Sequence, residues 1–510
     1  MDTRAAAARG KTMGPSWGCG ADGRAAVGRN YRNGDLTTVP HDGLRKRSFV
    51  IRYLTLFGGE AGSKLCVLLA FAYLARVLGP RDFGAIELAL SMTIFFVLAA
   101  ETGLGSYGAR IVETAPHRAA ELIARAGLLR AMLALPAYAI VLALSIQRGT
   151  PVLALYGLTI LLTPFNTQWV FQGLRQMQWV AAGSLARYAT FALLVLFLVR
   201  PGSDTRIVAA AEVSGALALA LFNTVLLSSV LKIRLDWRGA WHGAIDLFRQ
   251  AWFLGASDLT WAAMWYSPTI ILGWMNPGRT EHVAWLAASV RIVMALHAFV
   301  WLYFFNLVPN LSKELHEGLD SWRDLIHRSL SVSMWPACFV AAAGTLLAPI
   351  AMPMLFGPAY EQAVLPFQIV IWMIPVAWLS GHFRFSLIVS GHQQLEFMAS
   401  AVAGLATAVA AVLGARAYGA PGAAAALLAG GVINAVVSGL VMRKVIGAVR
   451  LRGAVPALVT CLVSLLVGGA ASPLLGRIGG AALAGTVFAC VMASQWDVSR
   501  LRRAWEGRSN

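Results

Sequence analysis

Charge is scarce in this chain. Asp, Glu, Lys and Arg make up 13% of its 510 residues, about half the ~25% of a soluble domain. Long hydrophilic segments are also missing, which excludes an inserted soluble catalytic domain. No stretch alternates apolar and polar residues over about 10 positions, as a membrane β-barrel strand does. Cysteine is rare: Cys19, Cys66, Cys338, Cys461 and Cys490 form no C-x-x-C pair. Disulfide and metal chemistry therefore have no support, and the cysteines in apolar helices read as small core residues. Metal-ligand spacing, a Ser–His–Asp pattern and a loop with paired carboxylates are all missing. The expectation is a protein that is not an enzyme.

What is abundant is apolar sequence, 58% of the chain, arranged in helix-length runs. A helix of about 20 residues crosses a bilayer. Backbone groups in lipid must satisfy one another, so helices are the natural form. The apolar region runs from 49 to 496, and roughly 30 residues per pass predicts an all-α polytopic membrane protein with about 14 transmembrane helices. They are placed near 50–77, 83–107, 122–146, 151–171, 180–199, 207–231, 250–273, 283–308, 330–352, 363–389, 397–416, 422–442, 455–472 and 478–496. Residues 1–44, rich in Gly, Ala and Arg and without an h-region, read as a disordered cytoplasmic tail rather than a signal peptide.

The formal net charge is +18. Its cations gather at helix ends, so they signal orientation rather than a nucleic-acid partner. Arg45, Lys46, Arg47 and Arg52 precede the first helix. Further clusters follow at Arg110–Arg125, Lys232–Arg249, Lys313–Arg328, Arg443–Arg452 and Arg500–Arg508. The alternate loops hold far fewer, Arg81, Arg148 and Arg279 among them. By the positive-inside rule both termini are cytoplasmic. The turns Leu78-Gly79-Pro80 and Asn276-Pro277-Gly278 lie about 200 residues apart and hint at a repeat. The expected organisation is an N-terminal lobe, 45–240, with helices 1–6 and a C-terminal lobe, 241–448, with helices 7–12. Residues 449–510 hold two further C-terminal helices and a basic cytoplasmic tail.

Gly103-Leu104-Gly105-Ser106-Tyr107-Gly108 matches G-x-G-x-x-G, but an apolar helix precedes it where the dinucleotide fingerprint needs a strand. It reads as helix-end packing. Gly58 and Gly62 read as a small-residue contact between helices. Charges inside helices are more informative, because each costs about 2.5–3.5 kcal/mol at mid-bilayer on insertion scales. They are Glu60 and Lys64 in helix 1, Glu87 and Glu101 in helix 2, Arg187 in helix 5, Glu212 in helix 6, Asp258 in helix 7, Arg291 in helix 8 and Arg384 in helix 10. Ion pairing or snorkelling is the alternative for each, and easiest for Arg187, Glu101 and Arg384. Glu60 can pair with Lys64 at i,i+4. Asp258, Trp261 and Trp265 share a face of helix 7, an arrangement that suits a sugar ring or an aromatic core stripe. His297 reads as packed.

Two segments carry recognisable text. One is Ala75-Arg76-Val77-Leu78-Gly79-Pro80-Arg81-Asp82-Phe83-Gly84, followed by Glu101-Thr102-Gly103-Leu104-Gly105 and Gly108-Ala109-Arg110. The other is Trp169-Val170-Phe171-Gln172-Gly173-Leu174-Arg175-Gln176-Met177. Together they resemble the Wzx-type polysaccharide-biosynthesis flippases, the O-antigen and exopolysaccharide branch of the multidrug/oligosaccharidyl-lipid/polysaccharide exporter superfamily. The likeness spans about 50–450, with looser matches at Leu355–Tyr360 and Pro421–Ala425. It implies two six-helix lobes, alternating access and a cationic central cavity. It implies transfer of a polyprenyl-diphosphate-linked oligosaccharide across a bacterial inner membrane, with membrane lipids around it and a polysaccharide polymerase and chain-length machinery as partners.

A diphosphate needs cations, for which Lys64 and Arg291 are the deepest candidates. Sugars need polar or aromatic groups, for which Asn166, Gln168, Gln172, Trp261 and Trp265 qualify. No cofactor is expected beyond a coupling ion, H+ or Na+, which the sequence does not distinguish. A drug–cation antiporter of the same superfamily would need acids dominating the cavity. A membrane glycan polymerase would need a sizeable outer loop with reactive residues.

Overall fold

The computed structural model describes residues 43–232, 240–447 and 454–495; within the first helix, side chains are described at Gly62 and from Cys66 onward. Nearly all of the expected tail, 1–44, and the basic segments at 450–452 and 500–508 thus lie outside the described residues. Residues 1–52 cluster as one unit and 53–510 as another, and the second carries everything that follows.

The described residues are mostly helical, and none of them forms a strand. The helices are α1 (Gly43–Glu101), α2 (Leu104–Thr114), α3 (Ala119–Arg148), α4 (Pro151–Leu161), α5 (Gln168–Gly173), α6 (Met177–Leu198), α7 (Thr205–Val225) and α8 (Ala240–Met275). They continue with α9 (Glu281–Glu317), α10 (Leu319–Phe356), α11 (Val364–Val370), α12 (Met373–Val389), α13 (Gln393–Tyr418), α14 (Ala420–Val445) and α15 (Val455–Gln495). Large apolar side chains such as Ile146, Leu405, Leu413, Leu466 and Leu474 stand exposed on the outside. Water would penalise that surface, and a bilayer accommodates it. This is a polytopic all-α membrane protein.

Ten segments among the described residues are long and apolar enough to cross a membrane, against the expected 14 or so. The difference has local causes. Cys66–Thr114 counts as one stretch of 49 residues, about 74 Å if straight, far beyond a ~30 Å core. It is broken at Gly79, whose φ of 77° and ψ of 173° suit only glycine, and Pro80 restarts the helix. Gly476, with φ 73°, breaks α15 likewise. The predicted helix at 151–171 is split by a 3-10 turn at Thr163–Phe165 that contains Pro164, leaving α4 and α5 short. The long α8 carries Asp258, Trp261, Trp265, Tyr266, Ser267 and Thr269, which lower its hydropathy.

Packing pairs α13 with α8 and α14, α6 with α7, α10 with α15, α9 with α12, and α3 with both α4 and α8. Small residues allow the closest approaches. A Cβ on Gly84 would lie 1.9 Å from the backbone oxygen of Thr280, where Thr280 Oγ1 also donates to Arg81 O at 2.7 Å. Gly62 is not such a contact, since a Cβ there meets nothing within 4 Å, and Gly58 falls outside the described side chains. Gly103 opens α2 at φ 67°, and Gly108 lies against the Trp169 ring. The G-x-G-x-x-G text is indeed helix-end packing. Cys338 and Cys461 are buried between α10 and α15, whereas Cys66 and Cys490 are exposed, so only half of the described cysteines are core residues.

Gly84→Ala should destabilise the purified protein by about 1–3 kcal/mol, the usual cost of overpacking, because its nearest neighbour is backbone. Gly62→Ala should leave the unfolding midpoint unchanged or slightly raised. Thermal unfolding in lipid nanodiscs measures both.

Candidate functional site

Three arginines expected to line a cavity are each held by a glutamate. Arg291 on α9 makes a two-pronged contact with Glu87 on α1, Nε to Oε1 at 2.9 Å and Nη2 to Oε2 at 3.0 Å. Glu87 is only 4% exposed. The Arg291 guanidinium also lies 3.5 Å from the Phe71 ring centroid, a cation–π contact. Paired, flat stacking of this kind suits a guanidinium in a poorly solvated place. Arg291 is therefore not a free cation in this conformation.

Arg187 on α6 reaches Glu212 on α7, Nη2 to Oε1, at 2.8 Å, with Tyr188 beside it. Arg384 on α12 lies 3.1 Å, through Nε, from Glu396 Oε1 on α13. Ser400 donates to that same oxygen at 2.8 Å. The Nε–H of Arg384 is not directed at an acceptor, so this pair is electrostatic without that hydrogen bond.

A fourth arginine escaped the sequence reading. Arg130 on α3 is 1% exposed. Its Nη1 donates to the backbone oxygen of Asn166 at 2.5 Å and lies 3.4 Å from that of Thr163. The break between α4 and α5 leaves the Asn166 carbonyl outside any helix, while that of Thr163 also accepts the Asn166 N–H at 3.0 Å; Asn166 in turn donates through Nδ2 to Glu101 Oε1 at 2.7 Å. The available signal was an arginine at the twelfth position of the helix Ala119–Arg148, beyond Glu121 and Arg125 in its first turns and ahead of a long apolar run.

Two cavities adjoin these groups. One, of about 420 Å³, is lined by Glu101, Thr163, Asn166 and Arg187 among others, between α1, α4, α6 and α7. The other, of about 660 Å³, lies between α8, α9, α12, α13 and α14 and is lined by Trp261, Trp265, His297, Trp301, Arg384 and Asn434 with further apolar residues. The Trp261 and Trp265 rings are 6.3 Å apart and tilted by 42°. His297 meets Trp265 edge-on at 5.1 Å, in agreement with a packed histidine.

The predicted site residues are thus partly united. Trp261, Trp265 and Arg384 share one cavity, Arg187 borders the other, and Arg291 belongs to neither. Asp258 is exposed on α8, lines neither cavity, and has no hydrogen-bond or ion-pair partner among the described residues. It lies within electrostatic reach of Arg384 and Glu101. Gln172 is exposed on α5, away from both cavities. Glu60 and Lys64 fall on α1 outside the described side chains. Among the described residues, Glu87, Glu101, Glu212, Glu396 and Asp258 accompany Arg130, Arg187, Arg291 and Arg384, five acids to four arginines, with Lys64 outside the described side chains.

Residues 53–315 match a family described as "Polysaccharide biosynthesis protein", just over half of the chain. No curated protein sequence matches. Among solved structures, the lipid II flippase MurJ in an inward closed conformation superposes with a TM-score of 0.67 at 10% identity, covering 87% of this chain and 99% of that one. An inward-facing multidrug resistance transporter of the MATE family, MOP superfamily, gives 0.62 at 15% identity, covering 75% and 94%. A MOP superfamily transporter from Pyrococcus furiosus gives 0.55 at 13% identity, covering 78% and 95%. At such identities the likeness is one of fold.

Glu87→Gln should cost about 2–3 kcal/mol of stability, because it leaves a partly buried guanidinium without its counter-charge. Replacing both partners, as in Glu87→Leu with Arg291→Met, should recover most of that loss. Unfolding midpoints of the two variants and wild type decide the matter. A double variant less stable than the single one would mean the pair itself is strongly stabilising.

Proposed function

Since the chain belongs to the polysaccharide biosynthesis protein family, we propose that it moves a polyprenyl-diphosphate-linked oligosaccharide from the cytoplasmic to the outer leaflet of a bacterial inner membrane. The glycan serves surface polysaccharide, lipopolysaccharide or exopolysaccharide, and a polymerase and chain-length machinery consume it. Supporting this reading is one observation above all, the band of Arg–Glu pairs inside apolar helices. Each arginine there faces a carboxylate that a diphosphate could replace, and charge-assisted bonds to phosphate are strong. A fold shared with a protein named as a lipid II flippase supports the same class of movement.

The proposed motion is alternating access of two lobes, 45–240 and 241–448. In that scheme the Thr280–Arg81 contact at the outer loops and the deeper Arg291–Glu87 pair join the lobes and open when the cargo leaves. Both termini are cytoplasmic, and H+ or Na+ supplies the coupling. A drug–cation antiporter is the second reading, favoured by the unpartnered Asp258 near an aromatic cavity.

Deleting the gene should leave intact lipid-linked repeat units facing the cytoplasm and reduce surface polysaccharide. Outward-facing, unpolymerised units would instead indicate a polymerase, and heightened sensitivity to organic cations with normal polysaccharide would indicate the antiporter.

Topology is tested by cysteine labelling in a background without native cysteines. Arg148→Cys and Asn276→Cys should react from outside the cell, and Ser321→Cys only after permeabilisation. Outside labelling at position 321 contradicts the scheme.

A further inference from the structure

The aromatic cavity between α8, α9, α12, α13 and α14 has features that ion pairing and core packing do not use. Trp265 is 1% exposed, yet its indole N–H has no acceptor. Tryptophan can only donate, and a buried donor left unmet carries a desolvation cost. The Nε–H of Arg384 is a second buried donor without an acceptor. Both residues line the same cavity. The Trp265 N–H meets no protein acceptor, whereas the Arg384 Nε–H, 3.1 Å from Glu396 Oε1, is near a carboxylate but not aligned on it; an oxygen atom of a ligand is the complement of the indole donor.

The walls fix the rest of the ligand's character. Trp261, partly exposed and tilted by 42° against the buried Trp265, offers a ring face to a guest. Trp301, 47% exposed, forms a rim. Apolar C–H faces flanked by hydroxyls are the surface a pyranose offers, and tryptophan supplies a matching flat apolar area beside a polar N–H.

Charge narrows the choice further. Arg384 is already countered by Glu396 at 3.1 Å, and Asp258 adds a carboxylate within electrostatic reach. An acidic sugar would meet a surplus of negative charge. An organic cation would suit the aromatic faces but leave the Trp265 N–H unmet. We infer that this cavity holds one uncharged pyranose ring of the transported glycan, an assignment that takes the cargo's identity from the flippase reading above. It separates sugar recognition, on α8, α9 and α12–α14, from the arginine pairs at Arg187 and Arg291 where phosphate would be held.

The test uses the full-length protein in lipid nanodiscs and saturation-transfer NMR with methyl β-D-glucopyranoside, methyl β-D-glucuronide and tetraphenylphosphonium as probes. The uncharged glycoside should bind saturably and more tightly than the glucuronide. Trp265→Phe, which keeps a ring and removes the N–H, should weaken it about tenfold. Trp301→Ala, on the exposed rim, should also weaken it without moving the unfolding midpoint. The assignment is overturned if the glycoside binds equally to wild type and both variants, or if the glucuronide binds more tightly. It is also overturned if only tetraphenylphosphonium shows binding that depends on these residues. Translocation of a lipid-linked oligosaccharide in proteoliposomes is scored alongside. Variant-sensitive glycoside binding without translocation by the wild type refutes the flippase reading and leaves the sugar site standing. Translocation without variant-sensitive glycoside binding refutes the sugar site alone.

Discussion

A guanidinium held among apolar helices is costly to leave bare, at about 2.5–3.5 kcal/mol even on lenient insertion scales, and four of them occur in the described bundle. The requirement that each find oxygen within reach governs which helices adjoin. Arg291 ties α9 to α1, Arg187 ties α6 to α7, and Arg384 ties α12 to α13. Arg130 ties α3 to the carbonyls of the broken α4–α5 segment. Lipid offers little preference between one apolar helix face and another. These contacts, together with close glycine approaches, set rotation and register where hydrophobicity cannot.

The same arrangement explains how a protein can carry many charges in the membrane and still remain adaptable. Removing one partner is expensive, whereas exchanging a carboxylate for another oxyanion keeps the arginine satisfied. A bundle assembled this way has discrete alternatives rather than a continuum of loosened states. Aromatic side chains fill the spaces between the pairs, as Phe71 does beneath Arg291 and Tyr188 beside Arg187.

The helical architecture was legible because its causes are local. Leu78-Gly79-Pro80 breaks the chain where a glycine φ is required, and Trp261 and Trp265 share a cavity because their spacing puts them on one helix face. The break at 163–167 was hidden in apolar text, with Pro164 as its main outward sign. The partners of Arg187, Arg291 and Arg384 were not legible, since a pair such as Glu87 with Arg291 spans 204 positions and no periodicity connects them. Arg130 was overlooked because its acceptors are backbone carbonyls, which every residue possesses. Asp258 appeared to belong with the tryptophans by spacing, yet its side chain leaves α8 toward an exposed surface.

That separation of 204 residues between Glu87 and Arg291 also has a meaning in time. At about 5–20 residues per second, the ribosome delivers the arginine some 10–40 s after the glutamate. For that interval the first helices are in place while one of their acids has no counterpart, and it must be sheltered at the membrane edge or by a temporary neighbour. Biogenesis of this chain therefore cannot proceed as independent insertion of finished helices. Its early segments stay provisional until the middle of the polypeptide arrives to complete them.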